Sequence, residues 1–146
     1  MYEFEYHRPK KLADAVKLIK SKKEGKLMSG GMTLIPTMKQ RLASPTDVID
    51  LSGLGNSGVS VSKTKVTIKA GTTHAEVASS SDLKKAVPAL AALAGMIGDP
   101  HVRHKGTIGG SVANADPAAD YPAALLALNA KVVTDSRTCL LYTSDA

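Results

Sequence analysis

The sequence predicts an α+β fold in two subdomains, and three observations carry that reading. Residues 1–51 alternate strand and helix patterns as a small βαβαβ unit. A Gly/Ser-rich link over 52–60, holding Gly53, Gly55 and Gly58, then breaks the pattern. Beyond it, two strictly alternating runs give way to helical stretches. The boundaries expected are 1–55 for the small subdomain, 56–137 for the larger α+β subdomain and 138–146 for a tail.

Each element follows from local pattern. Tyr2, Phe4 and Tyr6 alternate with Glu3 and Glu5 as a half-buried strand. Between Pro9 and Ile19 the apolar positions Leu12, Ala15, Val16 and Ile19 recur at helical spacing, with lysines opposite, and Gly25 is expected to end that helix. Lys26-Leu27-Met28 reads as a brief strand entering the turn Ser29-Gly30-Gly31-Met32-Thr33. Leu34, Ile35, Met38 and Leu42 then share one helix face, with Thr33 as N-cap, Pro36 in the first turn and Ser44-Pro45 as the stop. Asp47 to Leu51 is a strand. After the link, Val59-Ser60-Val61 and Lys65 to Lys69 form a hairpin around Ser62-Lys63-Thr64. Gly71-Thr72-Thr73 opens a helix over His74 to Ser79, Pro88 starts another through Ala94, and a third runs from Tyr121 to Leu128. Lys131 to Thr134 is the last strand.

Composition narrows the class. The chain has 146 residues, 43% hydrophobic and 22% charged, enough for one domain-sized core. It has no apolar run near the roughly 20 residues of a membrane helix, and its start, Met1 to Glu5, lacks the pattern of a secretory signal. A single cysteine, Cys139, excludes an intramolecular disulfide framework and a Cys-only metal cluster. Absence of Trp, with only four Tyr and one Phe, argues against base-stacking RNA modules. A soluble cytoplasmic domain is the expectation. The net charge of +6 reads first as a solvated surface, and no block of like charge is long enough for a nucleic-acid arm.

Two segments place glycine pairs where a backbone must approach something closely. In Ser29-Gly30-Gly31-Met32-Thr33 the pair allows positive φ and leaves amide N–H groups uncovered, and the helix start beyond it adds partial positive charge. Together these suit an anion such as a pyrophosphate, although a plain tight turn uses the same residues. The second segment runs from Gly106 through Thr107-Ile108-Gly109-Gly110-Ser111 to Asn114 and Asp120. Its small residues let an extended ligand lie on the backbone. Thr107, Ser111 and Asn114 offer bonds to phosphate or ribityl oxygens, and Asp120 offers an acceptor. Neither segment is a Walker loop, and no Gly-x-Gly-x-x-Gly sits at a strand-to-helix turn.

Ser29-Gly30-Gly31-Met32-Thr33-Leu34-Ile35-Pro36 resembles the Ala-Gly-Gly-x-Ser/Thr-Leu-hydrophobic-Pro motif of the FAD-binding medium subunit of molybdenum hydroxylases, of the xanthine and carbon monoxide dehydrogenase type. Arg103-His104-Lys105-Gly106-Thr107-Ile108-Gly109-Gly110-Ser111 resembles the second motif of that family, and Gly98-Asp99-Pro100 before it and Ala113 to Asp120 after it fit as well. The resemblance covers about residues 1–137. It implies the FAD-binding fold shared with vanillyl-alcohol-oxidase-like enzymes, with FAD in a cleft between the subdomains. It implies that Ser29, Gly30, Gly31, Met32, Thr33 and Leu34 hold the pyrophosphate. Thr107, Ile108, Gly109, Gly110 and Ser111 would contact the phosphates and ribityl chain, with Asn114 beside them and Asp120 near the flavin end. It further implies electrons arriving from [2Fe–2S] clusters on a small subunit, fed by a molybdopterin large subunit, and leaving to NAD or another acceptor. The protein's part would be positioning and redox tuning, with no acid–base catalytic residue.

The chain departs from the family pattern at Ser29, where Ala is usual, and at Ser111, where Asn or Asp is frequent. Residues 138–146 do not resemble the family's continuation beyond this point. They read as a truncated or chimeric end, so Cys139 and Tyr142 carry no functional weight. His101 and His104 flank Arg103 without a carboxylate or cysteine to complete a metal site, and a loop contacting cofactor or partner is expected there. His7 and His74 read as surface or capping residues, and Met28, Met32, Met38 and Met96 as core. Two other functions stay open: a stand-alone FAD oxidoreductase of the same fold, and a non-enzymatic basic binding module. Missing iron–sulfur ligands weigh against the first, and the two glycine motifs against the second.

Overall fold

The computed structural model describes residues 1–140. Residues 141–146, with Tyr142 and most of the expected tail, lie outside the described residues.

The chain opens as β1 (Glu5–His7), α1 (Leu12–Ser21), β2 (Gly25–Met28), α2 (Leu34–Lys39) and β3 (Asp47–Asp50). The three strands form one parallel sheet in the order β1-β3-β2, with Glu5 and Gly25 both level with Asp47 and Met28 level with Asp50. β3 is central and all four of its residues are buried, as a strand flanked on both edges requires. Its two carboxylates are paired. Asp47 accepts from Thr46 (2.8 Å) and lies 2.7 Å from His7 Nε2 and 3.0 Å from Lys22 Nζ. Hydrogen bonds from His7, Thr46 and Lys22 hold its pKa down at about 2. Asp50 accepts from the Tyr6 hydroxyl and from Ser52 N–H. Burial pushes its pKa up, but those bonds and the Arg8 charge bring it below the usual value.

Two sequence expectations change here. α1 ends at Ser21, and Gly25 is the first residue of β2. Its role is the tight turn from Lys22, whose Cβ would lie 2.9 Å from any Cβ added at Gly25. α2 stops at Lys39 rather than reaching Leu42, which is 76% exposed. The chain leaves through Arg41 at φ 61°, with Arg41 N–H on Met38 O (3.0 Å) and Leu42 N–H on Thr37 O (3.0 Å). That is a Schellman ending, with arginine in the left-handed position usually held by glycine.

A 3-10 turn (Leu51–Leu54) leads into the Gly/Ser link. The link is stapled rather than loose: buried Thr72 bonds both N–H and C=O of Gly58 (2.9 and 3.1 Å), and Gly71 N–H reaches Asn56 O (2.6 Å). Next comes the hairpin β4 (Val59–Val61) and β5 (Val66–Ile68), followed by six helices. They are α3 (His74–Ser79), α4 (Ser81–Ala86), α5 (Pro88–Met96), α6 (Pro100–Lys105), α7 (Ile108–Asn114) and α8 (Tyr121–Ala127). β6 (Lys131–Val133) and β7 (Thr138–Leu140) close the described chain as an antiparallel pair. Val77, Leu83, Leu90, Ala91, Ala94, Ile108 and Tyr121 form one buried cluster, against which Val59, Val66 and Ile68 pack. Every member lies beyond the link, while Ala15, Met38, Val48 and Ile49 are buried before it. Met96, expected in the core, is 77% exposed because it ends α5.

Candidate functional site

The first glycine turn leaves β2 at the carboxyl edge of the parallel sheet, the edge at which open α/β sheets receive ligands. Gly31 has φ 75°, and a Cβ there would lie 2.6 Å from Ile35 Cδ1, so glycine is required. Gly31 O accepts from Ile35 N–H (2.9 Å), which starts α2. The N–H groups of Gly30, Gly31, Met32 and Thr33 meet no acceptor among the described residues. Thr33 is exposed and holds the N-cap position, but its hydroxyl makes no cap bond. With only six residues in α2, the donors themselves, not a long helix's dipole, are what this turn offers an anion.

The second segment, to which the sequence pattern assigned no element, forms a helix over residues 108–114. Their first amides are taken within the protein: Ile108 N–H by Thr72 O (3.0 Å), Gly109 N–H by Ala70 O (2.9 Å), Gly110 N–H by Thr107 Oγ1 (3.0 Å) and Ser111 N–H by Thr107 O (3.0 Å). Its glycines admit neighbouring protein atoms. A Cβ on Gly109 would sit 2.5 Å from Ala70 Cβ, and one on Gly106 2.6 Å from His74 Nε2. Thr107 is the N-cap that makes a helix of this glycine-containing run possible.

The two segments meet. Ser29 Oγ lies 2.7 Å from Thr107 Oγ1, across a separation of 78 residues. Beside that contact a Cβ on Gly30 would fall 1.9 Å from Lys105 O, so backbone lies directly against backbone. Ser29, Gly30, Thr107 and Gly110 are thus brought together, with Gly31, Met32, Thr33 and Leu34 continuing from one side and Ile108, Gly109 and Ser111 from the other. Asn114 sits exposed at the far end of α7, and Asp120 is exposed at the start of α8 without a cap bond. Neither is hydrogen-bonded to the first turn. An open depression of about 670 Å³ on α1 beside Asp135 is lined by no residue of either segment.

His74 corrects the surface reading. It is 5% exposed, with Nδ1 3.1 Å from the Tyr121 hydroxyl, and its backbone N–H donates to Gly106 O (3.0 Å). Burial lowers its pKa, and the nearby Asp120 charge acts in the opposite sense. Burial, helped by Asp120, raises that of Tyr121. The pair therefore sits neutral behind Gly106 and fixes the approach to Thr107. Thr72-Thr73-His74 signalled only a helix start, and Thr73 and Glu76 do form a capping box there. Arg103, the first residue of the second motif, donates through Nη1 to Ile97 O (2.9 Å) and Gly98 O (2.6 Å), tying the end of α5 to α6. His104 Nδ1 is 2.7 Å from Pro100 O, its own helix.

The architecture defines the class first: an α+β FAD-binding fold. The family described as the FAD binding domain in molybdopterin dehydrogenase matches residues 2–140, and the chain belongs to it. The carbon monoxide dehydrogenase medium chain of Afipia carboxidovorans is 42% identical over 129 residues, 87% of this chain and 45% of that one. The nicotine 6-hydroxylase medium subunit of Paenarthrobacter nicotinovorans is 36% identical over 132 residues, 90% of this chain and 47% of that one. Among solved structures, carbon monoxide dehydrogenase from Hydrogenophaga pseudoflava superposes with a TM-score of 0.92 at 37% identity, over 96% of this chain and 51% of that one. The chain spans about half the length of the curated relatives it matches. The match runs through β7, so Thr138, Cys139 and Leu140 fall within it.

Proposed function

We propose that this chain is the FAD-holding part of an oxidoreductase subunit, with the pyrophosphate seated on the Ser29–Thr33 turn. One observation carries the reading: four consecutive N–H groups, Gly30 to Thr33, have no acceptor among the described residues, at the carboxyl edge of a parallel sheet. A diphosphate is an acceptor-only dianion, and backbone donors are what it needs. The donor set therefore fits the cofactor that the family binds. Thr107, whose hydroxyl lies 2.7 Å from that of Ser29, supports the same reading. In it Thr107 and Ser111 would offer hydroxyls to the phosphates and ribityl chain, beside Leu34 and Ile108, with Asn114 next to them and Asp120 near the flavin end. Bound FAD supplies two-electron and one-electron chemistry. The residues of this chain position it and exclude water; none is assigned a proton transfer.

In this reading the electrons come from [2Fe–2S] clusters on a small partner subunit and a molybdopterin-bearing large subunit, and leave to NAD or another acceptor. A single cysteine leaves this chain without ligands for a cluster of its own, which supports a subunit over a stand-alone oxidoreductase. It also suits a reducing cytoplasm. No helix among the described residues is long and apolar enough to cross a membrane.

The test is titration of FAD into the full chain, read by flavin fluorescence, for wild type, Thr33→Gln and Thr33→Glu. Thr33 is exposed and makes no cap bond, so both variants should fold, and a carboxylate in the first turn of a helix favours it. Glu is expected to weaken FAD binding at least about tenfold relative to Gln by repelling the diphosphate. Equal affinity for the two variants would refute placement of the diphosphate on this turn.

A further inference from the structure

We infer that the Ser29 hydroxyl is a clamp: it locks the two glycine turns in one arrangement before any ligand arrives. Ser29 Oγ is 2.7 Å from Thr107 Oγ1, and Thr107 Oγ1 also receives Gly110 N–H at 3.0 Å. A threonine hydroxyl has one hydrogen and two acceptor sites, so it holds both partners at once. The bonds run unbroken from Gly110 through Thr107 to Ser29. Thr107 is 7% exposed and Ser29 half-buried, so water competes weakly for these groups. The two segments are packed too closely here for a side chain on either neighbouring glycine. A Cβ on Gly30 would collide with Lys105 O at 1.9 Å, and one on Gly110 would stand 2.9 Å from Thr107 Oγ1 and 3.4 Å from Ser29 Cβ. Alanine at residue 29 keeps this packing and loses only the bond. The clamp therefore acts through position, not through contact with a reacting atom.

Its consequence for affinity rests on the FAD reading above. A ligand that spans both turns binds best when they are already in register, because ordering them costs affinity otherwise.

Two arms test the clamp in the full 146-residue chain. Without ligand, Ser29→Ala is expected to speed hydrogen exchange at Gly110 N–H about fivefold while leaving Val48 and Ile49 unchanged. An unchanged Gly110 rate would overturn the clamp. With FAD, Ser29→Ala is expected to weaken binding about three- to tenfold beside Thr107. Beside Thr107→Ser, which keeps the hydroxyl, the same loss is expected, and beside Thr107→Val none, because the partner is already gone. An equal loss in all three backgrounds would make Ser29 a direct ligand contact and overturn the clamp. Should the wild-type chain bind no FAD, the cofactor reading fails, and the exchange arm alone decides the clamp.

Discussion

One hydroxyl oxygen, Thr107 Oγ1, joins turns 78 residues apart and starts α7 as well. Around it the side chains divide their work. His74 and Tyr121 support Gly106 from behind, while Arg103 holds the approach to α6 through two carbonyls. His74 also makes stability depend on pH. In the unfolded chain it takes up a proton near the ordinary value of about 6.5. In the folded chain burial lowers its pKa, so below that pH the unfolded state binds more protons. The contribution is fully present above about pH 6.5 and is lost as the pH falls. Urea midpoints at pH 8, 6.5 and 5 should decline toward acid, and the decline should be shallower in His74→Asn; parallel curves would contradict the assignment. The residue types of the site were readable from sequence, because glycine pairs, small hydroxyls and their spacing are local signals. Their partners were not. Nothing near Ser29 announces Thr107, and nothing near His74 announces Tyr121, since these contacts exist only after distant segments pack.

Element by element, β2 to β6 and the helices with strong periodicity were legible, because alternation and 3.6-residue spacing are written into adjacent residues. β1 begins only at Glu5, later than the Tyr2–Tyr6 alternation, and β7, placed in the expected tail, was missed because only three residues carry it. α4, α6 and α7 were missed for different reasons. α4 and α6 are single short helices, each capped by a residue visible in the sequence, Ser80 and Asp99. α7 contains Gly109 and Gly110, and its low helix propensity is overridden by the Thr107 cap and the burial of Ile108. Its first amides are bonded within the protein, to Thr72, Ala70 and Thr107. α7 ends on Ala115 at φ 52°, an exposed alanine in the left-handed region. Ala115→Gly should relieve that strain and raise stability by about 0.5–1 kcal/mol, seen as a melting temperature higher by about 2–3 °C. A lower melting temperature would show that Ala115 holds the helix end for another reason. The same change at Arg41 is less clean, because its guanidinium lies 5.6 Å from the centre of the Tyr2 ring.

Across the whole molecule, residues buried before the link and a larger cluster beyond it are joined where one backbone turn presses on another. The link itself is pinned by Thr72, and the Ser29–Thr107 bond adds a second tie. A cofactor lying across that junction would meet free donors from one side and hydroxyls from the other. A proton–nitrogen NMR titration of the labelled chain with FAD reads this asymmetry amide by amide. The signals of Gly30, Gly31, Met32 and Thr33 are expected to shift most. Those of Ile108 and Gly109, already bonded to Thr72 and Ala70, should shift less. Saturable binding that leaves those four signals in place while moving others would contradict the proposed seat of the diphosphate.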